Sequence, residues 1–435
     1  MEKFNFGTGD RVRITAKQNT YEGIVMPRPE LADKEHIVLK LDNGYNIGIL
    51  ISAIKNVEKL SGPKPTAHGS SPLSFDQEKP KISVIATGGT ITSKVDYRTG
   101  GVFPFTTPEE LLEGVPDLAK IVNVKHILKP FTLWSEDMTP NEWTVIAKEV
   151  AKELNDPQVH GVIVTHGTDT LHYTAAALSF MLKNLNKPVA LVGAQRSVDR
   201  GSFDGNMNLV CAAHYCLSEI AEVAVVMHGK TDDEYCIASR GTKVRKMHSS
   251  RRDTFRPINE FPLAKIFPDG NIVIINPKHK TRSNSKVEAD AKFDEKVALI
   301  YYYPGALPEI LDYYVSKDYK GIIIAGTGFG HVSTNPLKEE NKWLNSIKKA
   351  IEGKVFVGIT TQTLYGGTDP LVYSAGRLIQ EAGAVYLKDL LPEVAYVKLG
   401  LVLGKTKALS KIKELMLTNI ANEFAERIEP ETFLY

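Results

Sequence analysis

Cysteine and long apolar segments are scarce in this sequence of 435 residues. It has only three cysteines, Cys211, Cys216 and Cys236, and none forms a Cys-x-x-Cys pair. An odd number without that spacing argues against a disulfide framework and predicts buried free thiols. No apolar run reaches the roughly 18 residues of a membrane span, and the N-terminus lacks the apolar core of a signal peptide. We therefore expect a cytoplasmic protein that does not span a membrane.

The net charge is also small, because 53 Lys and Arg residues nearly balance 51 Asp and Glu residues to give +2. So weak a charge argues against nucleic-acid binding through one large basic surface, although it leaves a local patch open. The histidines lack the spacing of metal ligands, and we expect no metal site. The length, with 43% apolar residues, is typical of a globular protein of two or three domains.

The N-terminal residues 1–60 alternate apolar with polar side chains in four or five short segments. A strong hairpin signal, Asp42-Asn43-Gly44, separates the last two long segments. This pattern predicts a small all-β barrel of the SH3-like or Sm-like type. Such barrels bind proteins or RNA about as often as they only pack, so the fold alone assigns no function. Residues 61–80 have the Pro-, Gly- and Ser-rich composition of a linker.

From Lys81 onward strand and helix patterns alternate, which predicts an α/β fold with a parallel sheet covered on both faces. A capping box, Thr139-Pro140-Asn141-Glu142, predicts a helix that extends to about Leu154. We expect a large α/β domain at 81–276, an interdomain linker at 277–295 and a smaller C-terminal α/β domain at 296–435.

Two short loops each follow a segment that is typical of a buried strand. They are Thr87–Ile91 and Thr165–Thr170, and the second leads into an apolar helix pattern that extends to Leu185. Ligands bind at the carboxyl ends of strands in open α/β sheets, and glycine lets backbone and substrate approach closely. The loops contain neither a GxGxxG nor a Walker pattern, which argues against a nucleotide site. Their threonines and aspartate predict a site for covalent chemistry.

A threonine hydroxyl needs a base or a cation before it can act as a nucleophile. The stretch Arg240–His248 contains several cations and could supply a lysine for this purpose. Taken alone, however, a basic run of this kind favours a solvated surface.

Taken together, the motifs ATGGTI (86–91) and THGTDT (165–170) and the later Lys246 resemble the bacterial-type L-asparaginase family. The stretch Trp134–Met138 resembles the serine-bearing substrate loop of that family. The resemblance extends from about Lys81 to the C-terminus. It implies a two-domain asparaginase-like α/β body, with sites near the interface of a homodimer.

The resemblance also implies roles for four catalytic residues. Thr90 corresponds to the nucleophile that attacks a side-chain amide. Thr168, Asp169 and Lys246 correspond to a second catalytic group, in which Lys246 stabilises the deprotonated hydroxyl and Asp169 binds the substrate's α-ammonium group. The reaction is acyl transfer: ammonia leaves, an acyl-enzyme ester forms, and water releases the acid. Which threonine attacks first rests on the resemblance alone.

Further positions of this sequence match substrate-binding residues of the family. Ser135 corresponds to the residue that holds the α-carboxylate, and backbone N–H groups near Gly89 and Thr168 are suited to bind the oxyanion. Gly89 and Gly167 are also candidate substrate-binding residues. Glu136 stands where the family often has glutamine, a departure that bears on the choice between asparagine and glutamine. Tyr97 is a candidate lid residue, and a surface tyrosine is an equally good interpretation.

A β-barrel and linker ahead of an asparaginase-like body resemble the D-subunit family of archaeal glutamyl-tRNA(Gln) amidotransferases over the whole chain. The resemblance implies a component of a ligase in protein biosynthesis. In that family the D subunit hydrolyses glutamine and passes ammonia to a partner, the amidotransferase E subunit, which activates the glutamate of Glu-tRNA(Gln) with ATP and Mg. This sequence has no kinase or ATP motif, so we expect no cofactor on this chain. The expected assembly is a homodimer with two partner chains, a heterotetramer.

Two alternatives remain open. One is a free-standing L-asparaginase with an accessory N-terminal domain. The other is a non-catalytic RNA- or protein-binding protein with an asparaginase shell. The complete set of Thr90, Thr168, Asp169 and Lys246 argues against the second alternative.

Overall fold

The structure is a computed structural model, and it describes most of the chain. The described residues are 6–17, 19–26, 35–41, 46–60, 78–89, 91, 93–95, 102–104, 111, 115–196 and 203–435.

The N-terminal part is an antiparallel five-stranded sheet in the order β4-β3-β2-β1-β5. Buried side chains alternate with less buried ones along β1 and β3, and the sheet has a separate small core, in which Val12 and Ile14 are fully buried. The predicted all-β N-terminal domain is therefore confirmed, whereas the turn at 42–44 lies outside the described residues. The strands are β1 (Arg11–Ala16), β2 (Asn19–Val25), β3 (His36–Leu41), β4 (Asn46–Leu50) and, after a 3-10 turn at Ile51–Ala53, β5 (Ile54–Lys59).

The largest sheet has eight strands in the order β18-β17-β14-β13-β12-β10-β6-β9. They are β6 (Lys81–Ala86), β9 (Asn123–Leu128), β10 (Val159–Thr165), β12 (Val189–Val192), β13 (Val223–His228), β14 (Cys236–Arg240), β17 (Ala264–Ile266) and β18 (Ile272–Ile274). Three short two-stranded ribbons accompany this sheet: β7 (Ser93–Val95) with β8 (Val102–Pro104), β11 (Leu182–Lys183) with β19 (Glu288–Ala289), and β15 (Val244–Lys246) with β16 (Phe255–Pro257).

The eight-stranded sheet is mixed rather than wholly parallel. Strands β9, β6, β10, β12 and β13 are parallel, as the alternation of strand and helix predicts. Strands β14, β17 and β18 run antiparallel to their neighbours. The connections from β13 to β14 and from β17 to β18 are short and contain no helix, so each joins antiparallel neighbours.

The helices of this part are α1 (Pro116–Ile121), α2 (Pro140–Leu154), α3 (Leu171–Met181) and α4 (Gly205–Leu217). The predicted capping box starts α2, since the Thr139 and Glu142 side chains each cap the other residue's backbone N–H. Helix α3 ends four residues before the predicted Leu185, because β11 begins there and pairs with β19.

The C-terminal part has a four-stranded parallel sheet of β20 (Val297–Tyr301), β21 (Gly321–Gly326), β22 (Phe356–Thr361) and β23 (Val385–Tyr386). Its helices are α5 (Glu309–Ser316), α6 (Trp343–Glu352), α7 (Ser374–Glu381), α8 (Pro392–Leu403) and α9 (Leu409–Leu417), with 3-10 turns at Glu339–Asn341 and Pro430–Thr432. Helix α8 is buried on nearly all sides because it lies between this sheet and α3. No helix in the described ranges is long and apolar enough to span a bilayer.

Candidate active site

The loops that follow β6 and β10 lie side by side at the carboxyl end of the large sheet. Ala86 and Thr165 are in register, and the Thr87 hydroxyl donates to the Thr165 carbonyl at 2.9 Å. A Cβ on Gly89 would lie 3.2 Å from the backbone nitrogen of Gly167. The two motifs are far apart in sequence, and adjacent parallel strands bring them together.

A third loop, which contains Ser135, closes one side of this edge. The start of this loop, at Leu133, packs against Gly88. A Cβ on Gly88 would lie only 2.1 Å from the carbonyl oxygen of Leu133. Gly88 also has a φ of 135°, which a side chain disfavours. The position therefore requires glycine.

Ser135 itself is buried in a 3-10 turn, Ser135–Asp137, directly beside the second threonine loop. The Thr170 hydroxyl donates to the Ser135 carbonyl at 2.6 Å. A Cβ on Gly167 would come within 3.0 Å of the Ser135 hydroxyl oxygen. That hydroxyl donates to the carboxylate of the exposed Glu136 at 3.3 Å. The sequence-predicted residues Ser135, Glu136 and Gly167 therefore lie together.

Lys246 reaches the second threonine loop from the short strand β15. Its Nζ donates to Thr168 Oγ1 at 2.9 Å and to Asp169 Oδ1 at 2.6 Å. The Lys246 side chain is 10% exposed, whereas that of Asp169 is 66% exposed. The lysine thus approaches from the protein interior, and the aspartate faces the solvent from which a substrate would arrive.

The basic run at 240–248, interpreted alone as a solvated surface, is instead largely buried, so that interpretation was wrong. Arg240 pairs with Glu222 and Glu260, and Lys243 pairs with Asp389. The side chains of Arg240 and Lys243 are only 2% and 1% exposed. Each cation has a carboxylate partner from a distant part of the chain, which the local sequence does not reveal.

The His166 side chain stabilises the second threonine loop through a hydrogen bond to its backbone. It was not identified as a site residue from the sequence. It is buried, and this burial lowers its pKa to about 4, so the imidazole is neutral near pH 7. Nδ1 lies 2.7 Å from the Gly167 carbonyl and therefore donates to it, which leaves Nε2 to accept from the Thr174 hydroxyl at 2.8 Å. The sequence feature that could have indicated this role is the position of His166 between Thr165 and Gly167, inside the second threonine motif.

Thr90 and Tyr97 lie outside the described residues, so their roles remain predictions. Within the described ranges, no group of three or more His, Cys, Asp and Glu side chains is arranged to hold a metal ion. The prediction of buried free thiols is confirmed for all three cysteines. Burial raises the pKa of Cys216 to about 12, which makes this thiol unreactive near neutral pH.

Three family models match consecutive parts of the chain. The model described as GatD N-terminal domain matches residues 6–60. The model described as Asparaginase, N-terminal matches residues 81–280, and Glutaminase/Asparaginase C-terminal domain matches residues 296–416. The asparaginase-like fold class predicted from the sequence is thereby confirmed.

Solved structures of L-asparaginases resemble the body of the molecule. The thermostable L-asparaginase from Thermococcus kodakarensis aligns with a TM-score of 0.69 and 30% identity, over 80% of this chain and 100% of that one. L-asparaginase I from Vibrio cholerae aligns with a TM-score of 0.68 and 28% identity, over 80% of this chain and 99% of that one.

Full-length relatives share the N-terminal domain as well. The D subunit of glutamyl-tRNA(Gln) amidotransferase from Pyrococcus abyssi is 49% identical over 100% of this chain and 98% of its own length. The D subunit from Pyrococcus furiosus is 50% identical over 98% and 97%, and that from Sulfolobus acidocaldarius is 43% identical over 97% and 93%. The order of domains and the identity over the full length agree, and the chain belongs to the D-subunit family of glutamyl-tRNA(Gln) amidotransferases.

Proposed function

We propose that this chain is the glutaminase subunit of the tRNA-dependent amidotransferase that converts Glu-tRNA(Gln) to Gln-tRNA(Gln). The observation that carries the proposal is the contact of Lys246 with both Thr168 and Asp169, next to Ser135 and at the carboxyl ends of parallel strands. A hydroxyl, an amine and a carboxylate at one edge of the sheet can together cleave a carboxamide.

In the proposed first step, the Thr90 hydroxyl attacks the side-chain carboxamide of glutamine. The C–N bond breaks, the nitrogen takes up a proton and leaves as ammonia, and a γ-glutamyl ester remains on the threonine. Water then cleaves the ester to give glutamate. The assignment of Thr90 rests on the family resemblance. It is supported by its described neighbour Gly89, which lies against Gly167.

Lys246 has two proposed tasks at Thr168. In its neutral form the amine, whose Nζ lies 2.9 Å from Thr168 Oγ1, can accept the hydroxyl proton, and the ammonium that results donates to the alkoxide and stabilises it. The 2.6 Å contact with Asp169 in turn stabilises that ammonium. The threonine oxygen can then exchange a proton with the attacking group.

The substrate's own charges match the remaining groups of the site. Among the described residues, Lys246 binds Oδ1 of the exposed Asp169, and Oδ2 is the oxygen that we assign to the α-ammonium group of glutamine. Ser135 and the backbone beside Gly167 are suited to bind the α-carboxylate. Glu136, 3.3 Å from the Ser135 hydroxyl, adds a negative charge near that carboxylate and is a candidate determinant of substrate choice.

The partners belong to the same proposal. Because no ATP motif occurs in this sequence, we assign the ATP- and Mg-dependent activation of Glu-tRNA(Gln) to a second protein, the amidotransferase E subunit. This chain would form a homodimer, join two partner chains in the cytoplasm and bind no cofactor of its own.

The L-asparaginase structures that share this fold favour one competing function, a free-standing asparaginase. Ammonia release from glutamine and from asparagine, with and without the E subunit and Glu-tRNA(Gln), distinguishes the two. We expect glutamine hydrolysis that rises when partner and tRNA are added. Rapid asparagine hydrolysis by the isolated chain would favour the free enzyme, and inactivity under all conditions would favour a non-catalytic shell.

A further inference from the structure

Lys246 is carried by a short strand that its own backbone hydrogen bonds hold weakly. Strand β15 has three residues, and among the described strands it pairs only with β16. A two-stranded ribbon is marginally stable by itself in water, so this one is held by packing: Val244 and Phe255 are each 1% exposed and belong to the main core. The position of the lysine therefore depends on side chains that anchor the strand.

The neighbouring residue, Arg245, provides one such anchor. Successive side chains of a strand point to opposite faces, so Arg245 points away from Thr168. Its Nη1 donates to Glu393 Oε2 at 2.8 Å. Glu393 is 1% exposed and lies in the first turn of α8, within the C-terminal part of the chain. This ion pair thus connects the strand of Lys246 to a helix of the smaller sheet.

Glu393 also lies close to the helix that follows Asp169. Its Oε1 is 3.9 Å from Nε2 of His172 in α3. Burial, reinforced by the charges of Arg245 and Lys246, lowers the pKa of His172 to about 3, so the imidazole is neutral. Burial raises the pKa of Glu393, while Arg245 opposes that rise.

Among the described residues, few carboxylates lie near the adjacent cations Arg245 and Lys246. Besides each other, Arg245 and Lys246 are surrounded by the following charged or titratable groups: Asp169 in the loop, His172 and Tyr173 on α3, Arg256 of β16 with its own partner Asp253, Tyr301 on β20 and Glu393 on α8.

We propose that Glu393 is a positioning residue for the glutaminase site: it anchors the strand of Lys246 through Arg245 and neutralises the cation next to that lysine. This inference rests on the proposed function. It makes a helix of the C-terminal part responsible for the geometry of a site built on the large sheet.

The substitution Glu393→Gln tests the proposal, because it keeps the side chain's size but removes its charge. The Arg245 guanidinium next to Lys246 then lacks its counter-ion, and its positive charge disfavours a second positive charge beside it. We expect the acid limb of the kcat/KM profile for glutamine hydrolysis to move to lower pH by about one unit. We also expect kcat to fall about tenfold, since a displaced catalytic group loses its alignment.

A double variant separates charge from anchoring. In R245M/E393Q both charges are absent, so the acid limb should return to the wild-type pH while kcat stays reduced. The double variant buries no unpaired charge, so it should fold even if Glu393→Gln does not. Its kcat then tests whether Glu393 positions the strand of Lys246. In that case a wild-type kcat would overturn the proposal.

Glu423→Gln is a matched control that affects the same helix, α8. It breaks the buried ion pair of Lys398 and Glu423, whose atoms are 2.6 Å apart, and leaves Arg245 paired. We expect it to lower the melting temperature without moving the acid limb. All variants are measured in the full-length chain together with its partner protein and Glu-tRNA(Gln).

The outcomes distinguish this inference from the function on which it rests. An active wild type whose profile is unchanged by Glu393→Gln overturns the positioning role alone. An equal shift in Glu423→Gln also overturns it, since the effect would then follow from any lost ion pair. A wild type without glutaminase activity overturns the proposed function and this inference together.

Discussion

Replacing Lys246 by methionine should abolish most catalysis while leaving the fold nearly as stable as before. Methionine keeps most of the aliphatic length of lysine, so the packing of the side chain is largely retained. The substitution removes two hydrogen bonds, to Thr168 at 2.9 Å and to Asp169 at 2.6 Å.

The size of the effect follows from what each contact does. Loss of a positioned general base costs about two to four orders of magnitude in turnover, or roughly 3–5 kcal/mol of transition-state stabilisation. The cost in stability should be small, because Asp169 is 66% exposed and remains solvated when its partner is lost.

Lys243→Met is the matched comparison three residues earlier. Lys243 is 1% exposed and pairs with Asp389, which is 6% exposed. Removing this lysine leaves a buried carboxylate without its counter-ion, at a cost of about 3–5 kcal/mol. We therefore expect Lys243→Met to lower the stability strongly, and Lys246→Met to lower the activity strongly.

The assay is ammonia release from glutamine at saturating substrate, combined with urea unfolding of each variant. A Lys246→Met turnover within tenfold of the wild type would refute the role of this lysine. Equal destabilisation by both substitutions would refute the distinction between an exposed and a buried carboxylate partner.

The loops of the site carry three further predictions. Thr90→Ala should lower glutamine turnover by about two to four orders of magnitude in steady-state kinetics, and a near wild-type rate would exclude Thr90 as the nucleophile. Gly88→Ala should lower the melting temperature, because its Cβ would lie 2.1 Å from the Leu133 carbonyl oxygen; an unchanged melting temperature would contradict this packing. The pKa of His166 is lowered to about 4 from 6.5, so the unfolded state binds the extra proton between these values. The free energy of unfolding should therefore fall by up to about 3 kcal/mol as the pH decreases from 6.5 to 4, and His166→Asn should reduce this dependence in urea titrations at several pH values.

Local patterns determined several elements of this protein. The capping box at Thr139 set the start of helix α2, because a helix N-terminus is satisfied by side chains within one turn of it. Alternating apolar residues determined the all-β N-terminal part in the same way, since strand periodicity places every second side chain in the core. The two glycine-containing loops after buried strands indicated which edge of the sheet carries the site.

The environment of each cation between Arg240 and Lys246 was decided by the tertiary structure, because their partners come from other parts of the chain. The sequence between Arg240 and Lys246 contains four similar cations, and only the fold shows that Arg240 and Lys243 face buried carboxylates while Lys246 faces Thr168. Local composition cannot separate these residues, because the free energy of a buried cation is set by the charge opposite it. The antiparallel pairing of β14 with β17 was likewise decided by the tertiary structure, because a long connection separates these strands and the pattern within each does not indicate which strands meet.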